Sequence, residues 1–179
     1  RGLGDVYKRQ DELVKAADAY CLANASAEHP YDMTSAVSNA DFSTYSMSGW
    51  TLSGDQVSGY ADGTIEFYKK QFDLKQEITG LPAGDYKISL QARSDKGAEN
   101  KSFVLYASAG AVSSSKEVEA VTRAEGTDQT QHLQQNADDL NANPDESVVS
   151  VIMSVAEGTL TIGAKCTDNT MWCVLNGMK

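Results

Sequence analysis

Thr79-Gly80-Leu81-Pro82-Ala83-Gly84-Asp85-Tyr86-Lys87-Ile88-Ser89-Leu90-Gln91-Ala92-Arg93 is the stretch that decides the fold class. Its first half has the composition of a turn, because Gly and Pro favour the backbone angles that turns need. Apolar and polar side chains then alternate, with Tyr86, Ile88, Leu90 and Ala92 on one side and Lys87, Ser89, Gln91 and Arg93 on the other. This period of two predicts a strand with one buried face, and it places Tyr86 in the core.

Similar short runs lie on both sides of this strand, and Gly, Asn, Asp and Pro separate them at intervals of about ten residues. We predict strands over 64–72, 72–78, 103–107, 116–121, 148–155, 159–165 and 171–175. A polar stretch, Thr127–Asn143, carries Leu133, Ala137 and Leu140 at helical spacing and predicts a short surface helix that ends at Asn143-Pro144. About eight to ten strands with almost no helix between them predict an all-β protein, an antiparallel β-sandwich.

The N-terminal region has a different character. Residues 11–27 are rich in Ala and place Leu13, Ala16, Ala17 and Tyr20 at three- and four-residue spacing, which predicts a helix that His29-Pro30 stops. Residues 1–10 resemble the translation of a transposase-type sequencing adapter, so we expect them to be an artefact. The predicted division is therefore an artefact over 1–10, a helix ending an upstream element over 11–28, and a β-sandwich over 29–179. We expect a metagenomic fragment of a longer reading frame, whose signal peptide is not observable.

Composition and charge exclude several classes of partner. The chain has 179 residues, with 15 Lys and Arg against 25 Asp and Glu, and a formal net charge of −10. Nucleic acid is not expected as a partner, because phosphate binding needs clustered cations. Membrane insertion is not expected either, because no apolar run approaches the roughly 18–20 residues of a transmembrane helix.

No catalytic motif stands out. The sequence lacks His-Glu-x-x-His, Gly-x-Ser-x-Gly and a phosphate-binding Gly-rich loop, and its two His, His29 and His132, are expected to be exposed. A glycosidase pair is formally possible among so many carboxylates, but an arbitrary pair proves nothing. We therefore predict that the protein is not an enzyme and has no catalytic residue.

Cys166 and Cys173 flank a predicted hairpin, and two interpretations remain open for them. A disulfide is geometrically conceivable, whereas two buried thiols acting as small hydrophobes are favoured. Cys21 has no evident partner, and no metal site is expected from three scattered cysteines.

An ordered set of segments over residues 32–179 resembles the galactose-binding-like jelly rolls of carbohydrate-binding modules. The closest likeness is to variants found in secreted and surface proteins of gut bacteria. The resembling segments are 32–35, 39–42, 49–51, 67–68, 72–76, 79–86, 158–163 and 172–176. This resemblance implies a jelly-roll sandwich that binds a glycan or polysaccharide as a non-catalytic accessory module of a larger secreted or cell-surface protein, beside neighbouring domains. The alternative is a structural or adhesive spacer domain without a small-molecule ligand.

The resemblance also bears on metal binding. Some relatives hold a structural Ca²⁺ between the first and last strands through carboxylate and carbonyl oxygens. This sequence has Asn176 where those relatives usually have Asp, which weakens such a site. We therefore expect no cofactor.

Sugar binding needs aromatic faces that stack on C–H groups and planar polar side chains that bind hydroxyls. Trp50 and Trp172 are expected to fill the core. Tyr68 and Tyr106 are out of phase with their apolar neighbours and are expected to face outward or to line the concave sheet. The predicted ligand-binding residues are Tyr60, Tyr68, Arg93, Asp95, Asn100 and Tyr106.

Three observations would discriminate between the functions. Two or more exposed aromatic side chains with Arg, Asn or Asp beside them would favour sugar binding, whereas a face of Ser, Thr and Lys would favour the spacer. An enzyme would need two buried carboxylates that face each other with shifted pKa values.

Overall fold

A computed structural model gives the structure of residues 3–95, 101–120, 132–156 and 158–179. The chain divides into two units, Arg1–Met33 and Thr34–Lys179. In the described part of the chain, no helix is both long enough and apolar enough to cross a membrane.

The first unit contains helix α1, Leu3–Ala23. The helix ends earlier than the predicted residue 27, because the backbone N–H and the side-chain Nδ2 of Asn24 both donate to the Tyr20 carbonyl. A turn follows, in which the Ser26 N–H donates to the His29 carbonyl and the His29 N–H donates to Ser26 Oγ. The helical prediction is thus confirmed as far as Ala23 and wrong beyond it.

Among its described residues, the second unit has ten strands and one α-helix. The elements are β1 (Thr51–Gly54), β2 (Gly59–Ala61), β3 (Thr64–Tyr68), β4 (Phe72–Leu81), β5 (Gly84–Ser94), β6 (Phe103–Ala109), β7 (Val112–Glu117), α2 (Leu133–Ala142), β8 (Val148–Val155), β9 (Gly158–Cys166) and β10 (Trp172–Met178). The strands form two five-stranded sheets with antiparallel pairing, the first in the order β1-β4-β9-β6-β7 and the second in the order β2-β3-β10-β5-β8. The predicted all-β sandwich is confirmed.

The core lies between the two sheets. In the first sheet Phe72 and Phe103 flank Cys166, and in the second sheet Phe67 pairs with Cys173. The rings of Phe67 and Phe72 stack across the interior, with centroids 3.7 Å apart and planes 11° apart. Each such buried side chain contributes about 1.5–3 kcal/mol through apolar burial.

Strand β5 follows the predicted alternation over most of its length. Ile88, Leu90 and Ala92 are buried, whereas Lys87 is exposed. Tyr86 is only half-buried, because its hydroxyl reaches back and donates to the Pro82 carbonyl at 2.8 Å. The prediction that Tyr86 lies in the core is therefore wrong, because its side chain is only half-buried.

Edge strands account for the other differences from the predicted strands. β7 begins at Val112 rather than at residue 116, because the turn Gly110-Ala111 joins it directly to β6. Its burial shows no regular alternation, and most of its residues are exposed. The strands β1 and β2 were not predicted, because four and three residues are too few to show a period of two. The predicted strand 64–72 divides in two near Lys69, whose φ of +53° interrupts extended backbone.

Helix α2 covers the outer face of the second sheet. Leu140 packs with Trp172 and Val174 of β10, and Leu133 adds to this cluster. The predicted helical spacing of Leu133, Ala137 and Leu140 is thus confirmed, while residues 127–131 lie outside the described residues. Trp50 and Trp172 are both buried, as predicted.

Candidate ligand-binding surface

The predicted ligand-binding residues do not come together in one place. Tyr106 lies on β6 of the first sheet, and Tyr60 and Tyr68 lie on β2 and β3 of the second. Arg93 and Asp95 lie at the end of β5. The sixth residue, Asn100, lies outside the described residues.

Arg93 is a buried structural residue rather than part of an exposed loop. It is 8% exposed, and its guanidinium contacts Asp139 Oδ2 at 2.6 Å through Nη2. Its Nη1 donates to Asn136 Oδ1 and its Nε donates to Ser147 Oγ. Arg93 has the strand phase of Lys87 and is nevertheless buried, because α2 covers this part of the second sheet.

Tyr68 and Asp95 lie on either side of Trp172. Tyr68 is opposite Trp172 in the strand register and 40% exposed, with Lys69 Nζ 5.1 Å from its ring centroid. Asp95 Oδ1 accepts a hydrogen bond from the Trp172 backbone N–H at 2.9 Å. This surface therefore offers one exposed aromatic ring and a carboxylate that already binds the backbone.

Tyr106 lies over Gly163 on the outer face of the first sheet. A Cβ on Gly163 would be 2.6 Å from Tyr106 Cζ, so glycine is what allows the ring to lie close to the sheet. The Tyr106 hydroxyl donates to Asp73 Oδ1 at 2.6 Å, and Lys165 Nζ is 5.4 Å from the ring centroid. Burial, and then the hydrogen bond to Asp73, raise the pKa of Tyr106.

Most of the rest of this outer face is polar. The residues that share it in the strand register are Ser108, Ser113, Ser115, Thr161, Lys75, Lys165, Asp73, Glu77, Glu117 and the apolar Val104. A single aromatic ring on a largely polar face is closer to the pattern that favours a spacer.

A small pocket of about 280 Å³ opens at the ends of β1, β4 and β9. Its lining residues are Ser53, Gly54, Gln71, Phe72, Asp73, Cys166 and Thr167. It therefore brings a polar rim and one cysteine to the same opening.

Two tyrosines meet on a different surface. The rings of Tyr45 and Tyr60 have centroids 6.5 Å apart and planes tilted by 57°. Tyr45 is 53% exposed and Tyr60 is half-buried. The pair, together with Asp62 of the β2–β3 turn and Gln134 and Asn141 of α2, is called the tyrosine surface below.

Asp62 holds the tyrosine surface together. The Tyr45 hydroxyl donates to Asp62 Oδ1 at 2.9 Å and accepts from the Asp62 backbone N–H at 3.2 Å. Gln134 Nε2 donates to Asp62 Oδ2, and Asn141 Nδ2 donates to the Asp62 carbonyl, both at 2.7 Å. The hydrogen bond from Gln134, and then that from Tyr45, lower the pKa of Asp62. The turn, the loop before β1 and the helix are thus joined through one charged residue.

The backbone here is held in an uncommon conformation. Asn39, Phe42, Tyr45 and Asp62 have φ values of +49°, +51°, +50° and +38°. Non-glycine residues adopt this left-handed region at a cost of about 1–3 kcal/mol, so the surroundings must hold them there. Phe42 is buried and packs on Trp50 with centroids 5.4 Å apart, which fixes the loop that presents Tyr45.

Sequence reasoning found Tyr60 but missed Tyr45, Asp62, Gln134 and Asn141. The dipeptide Asp62-Gly63 is a local hairpin signal that could have located the turn. Nothing local identifies its partners, since Tyr45 and Gln134 are 17 and 72 positions away from Asp62.

The residues around Asn176 do not fit a calcium ion. Asn176 Oδ1 accepts from the Thr64 hydroxyl at 2.9 Å, and its Nδ2 donates to Gln91 Oε1 and Asn141 Oδ1. Its amide is therefore engaged, and it supplies no negative charge. Among the residues that the structure describes, no group of three or more His, Cys, Asp or Glu could hold a metal ion.

The arrangement that an enzyme would need is not found in the described ranges. No Asp or Glu there is buried. The pKa of Asp41 is lowered by its hydrogen bonds with Ser43, and that of Asp62 is also lowered. A general acid in a glycosidase needs a raised pKa instead.

Comparisons with solved structures identify the fold. No protein-family profile and no curated protein matches the chain. The carbohydrate-binding module TmCBM61, solved in complex with β-1,4-galactotriose, matches at 20% identity with a TM-score of 0.50, over 78% of this chain and 92% of that chain. The fold of the second unit is a β-sandwich similar to that of this module.

Two further structures resemble the β-sandwich fold of this chain with lower TM-scores. One is the carbohydrate-binding module CBM6cm-2 from Cellvibrio mixtus lichenase 5A in complex with cellotriose, at 14% identity and a TM-score of 0.31, over 73% of this chain and 85% of that chain. The other is the enzymatically active domain of bacteriophage CBA120 tailspike protein 4, at 11% identity and a TM-score of 0.48, over 80% of this chain and 20% of that chain.

Proposed function

We propose that this domain is a non-catalytic module that binds carbohydrate through the tyrosine surface. The observation that carries the proposal is the pair Tyr45 and Tyr60, one ring exposed and both close together, braced by Asp62. Two aromatic rings with Asp and Asn beside them are the combination that sugar recognition needs.

The chemistry of the surface suits a pyranose ring. The face of Tyr45 can stack on the C–H groups of one sugar. A carboxylate has about four acceptor sites, so Asp62 keeps acceptor capacity for sugar hydroxyls after its bonds with Tyr45 and Gln134. Because these bonds already fix the side chains, little side-chain entropy is lost when a ligand binds.

The charge of the surface favours neutral glycans. Asp62 and the exposed Asp138, which also accepts from Gln134, are acidic, and the whole chain has a net charge of −10. Uronate-rich or sulfated polysaccharides would be repelled. β-1,4-Galacto-oligosaccharides are a suitable first probe, because TmCBM61 has a similar fold and was solved with galactotriose.

Tyr45→Ala should weaken binding of β-1,4-galactotriose, or of the best neutral glycan on an array, about tenfold or more through loss of stacking. Isothermal titration calorimetry measures this, with Tyr68→Ala as the matched control, since Tyr68 is a similarly exposed tyrosine on another surface. Tyr60→Ala should also weaken glycan binding. Because Tyr60 is half-buried, the unfolding temperature of this variant should be measured as well, so that a loss of stability is not mistaken for a loss of ligand contact.

Unchanged affinity in Tyr45→Ala, combined with loss of binding in Tyr68→Ala or Tyr106→Ala, would move the site to one of the other predicted residues. The absence of binding to any glycan on the array would favour the alternative function. A specific observation supports that alternative: the outer face of the first sheet is rich in Ser and Lys with a single aromatic ring, as expected of a spacer.

We further propose that the module is an accessory part of a larger secreted or cell-surface protein, where it would hold a neighbouring domain close to its polysaccharide. Recovering the flanking reading frame tests this. A signal peptide and a glycan-active domain in the same frame are expected, and an open reading frame of cytoplasmic character would contradict the proposal.

A further inference from the structure

Cys166 and Cys173 meet in the core of the sandwich, one from each sheet. Cys166 ends β9 in the first sheet beside Phe72, and Cys173 lies in β10 of the second sheet beside Phe67. Because Phe67 and Phe72 stack at 3.7 Å across the interior, the neighbouring thiols are brought together as well. Both cysteines are free and buried, and each lies next to one ring of the stacked Phe67–Phe72 pair in the strand register.

The two thiols differ in their surroundings. Cys166 lines the pocket at the ends of β1, β4 and β9, whereas Cys173 is not among the lining residues. Cys166 Sγ lies 3.4 Å from the Asp168 carbonyl and 3.8 Å from Met171 Sδ. The hydrogen bond from Cys173 lowers the pKa of Cys166, while burial raises the pKa of Cys173 well above its usual value. Cys166 is thus the more accessible thiol and the more readily ionised one.

We propose that Cys166 and Cys173 form a reversible disulfide that cross-links the two sheets, in exchange with a small-molecule disulfide that enters through this pocket. Formation of the bond needs only these two side chains to approach each other, since the strand register places both beside the stacked rings of Phe67 and Phe72. Disulfides of this kind form in oxidising compartments.

The exchange proceeds in two steps. The Cys166 thiolate attacks one sulfur of a small disulfide RSSR and forms a mixed disulfide between Cys166 Sγ and that sulfur. The S–S bond of RSSR breaks in this step, and the released RS⁻ takes up the proton that Cys166 has lost and leaves as RSH. The Cys173 thiol then loses its proton and attacks Cys166 Sγ, which releases the second RSH. Two electrons pass from the protein thiols to RSSR, and two RSH carry away the two protons. The second step is the slower one at neutral pH, because little Cys173 is thiolate there.

The experiment uses the full chain with Cys21→Ser, which removes the exposed cysteine of α1. Incubation with oxidised glutathione should consume both remaining thiols and reduce the intact mass by two hydrogen atoms, and a peptide map should link Cys166 to Cys173. The unfolding temperature should rise by several degrees and return on reduction, because the cross-link restricts the unfolded chain. Exchange should be faster at alkaline pH.

Two single variants serve as matched controls. Cys173→Ser should stop at the first step, with one glutathionyl group on Cys166, whereas Cys166→Ser should leave Cys173 unmodified. The proposal is overturned if both thiols of the Cys21→Ser chain stay free in oxidised glutathione while the same chain in denaturant reacts. It is also overturned if the native chain keeps a mixed disulfide that never resolves, at neutral or alkaline pH.

Discussion

Arg93 shows how one residue connects separate elements. Its guanidinium binds Asp139 and Asn136 of α2, and also Ser147 next to β8. Asn136 is buried, whereas the Asp139 side chain is 49% exposed. Without the Arg93 guanidinium, water could therefore solvate Asp139 but not the buried Asn136 side chain. Arg93 therefore holds α2 on the second sheet.

Arg93→Ala should lower the free energy of unfolding by about 1–3 kcal/mol, because the buried Asn136 Oδ1 loses the hydrogen bond from Arg93 and Asp139 loses its ion pair. Urea unfolding measures this, with Lys87→Ala as control, since Lys87 is an exposed cation on the same strand. Unchanged stability with complete loss of glycan binding would instead return Arg93 to the ligand site.

Gly163 is a second residue with a definite role, since it leaves room for the Tyr106 ring. Gly163→Ala should destabilise the protein by about 1–3 kcal/mol through overpacking, because its Cβ would meet Tyr106 and the Leu74 carbonyl at 2.6 and 2.7 Å. Thermal unfolding should show little change in the control Gly84→Ala, where the nearest atom would be 3.9 Å away. Equal effects of the two substitutions would contradict this account.

At the scale of elements, the β2–β3 hairpin and α2 depend on each other through Asp62. The turn presents the carboxylate and the carbonyl of Asp62, and one face of α2 presents Gln134 and Asn141 to them. Residues at this spacing share a helix face, next to the face that buries Ala137 and Leu140. The helix therefore packs on the sheet and also shapes the tyrosine surface.

The affinity for glycan should be constant from neutral to mildly acidic pH. The hydrogen bonds from Gln134 and Tyr45 lower the pKa of Asp62 in the folded protein. These hydrogen bonds to the carboxylate are therefore fully present above the ordinary carboxyl pKa of about 3.9, and they are lost as the pH falls through the lowered value. Titration calorimetry at decreasing pH should show a fall in affinity only below about pH 4, and Asp62→Asn should remove that fall. A decrease between neutral pH and about pH 5 would contradict the role of Asp62.

At the scale of the whole molecule, hydrogen bonds around Asn176 join the last strand to distant parts of the sandwich. Asn176 links β3, β5 and α2 through Thr64, Gln91 and Asn141. The Met178 N–H also donates to the Ala40 carbonyl, which ties the last strand to the loop before β1. These contacts around Asn176 are made by neutral side chains, so we expect them to hold the strands together without an ion.

A chelator should therefore leave the unfolding temperature unchanged, and millimolar Ca²⁺ should not raise it. Differential scanning calorimetry with EDTA and with added Ca²⁺ measures this. Asn176→Ala should destabilise the protein by about 1–3 kcal/mol, because Thr64 and Gln91 lose a partner. A rise of several degrees with Ca²⁺ would show that the domain binds a structural ion after all.

The sequence alone determined the sandwich, because alternation along β5 and turn residues at its start are local properties of the chain. It also predicted that Tyr106 is out of phase with the buried Phe103 and Leu105, because strand phase is shared with a residue's own neighbours. The burial of Trp50 and Trp172 was expected from the family resemblance, and Trp172 is buried because α2 covers it.

Only the tertiary structure decided which of the many tyrosines and carboxylates meet. Tyr45 reaches Asp62 over 17 positions and Gln134 reaches it over 72, and both contacts depend on where the hairpin and α2 pack. Arg93 has the phase of an exposed residue, yet α2 covers it. The period of a strand states which face a side chain is on, but whether that face meets water or a helix depends on contacts between distant parts of the chain.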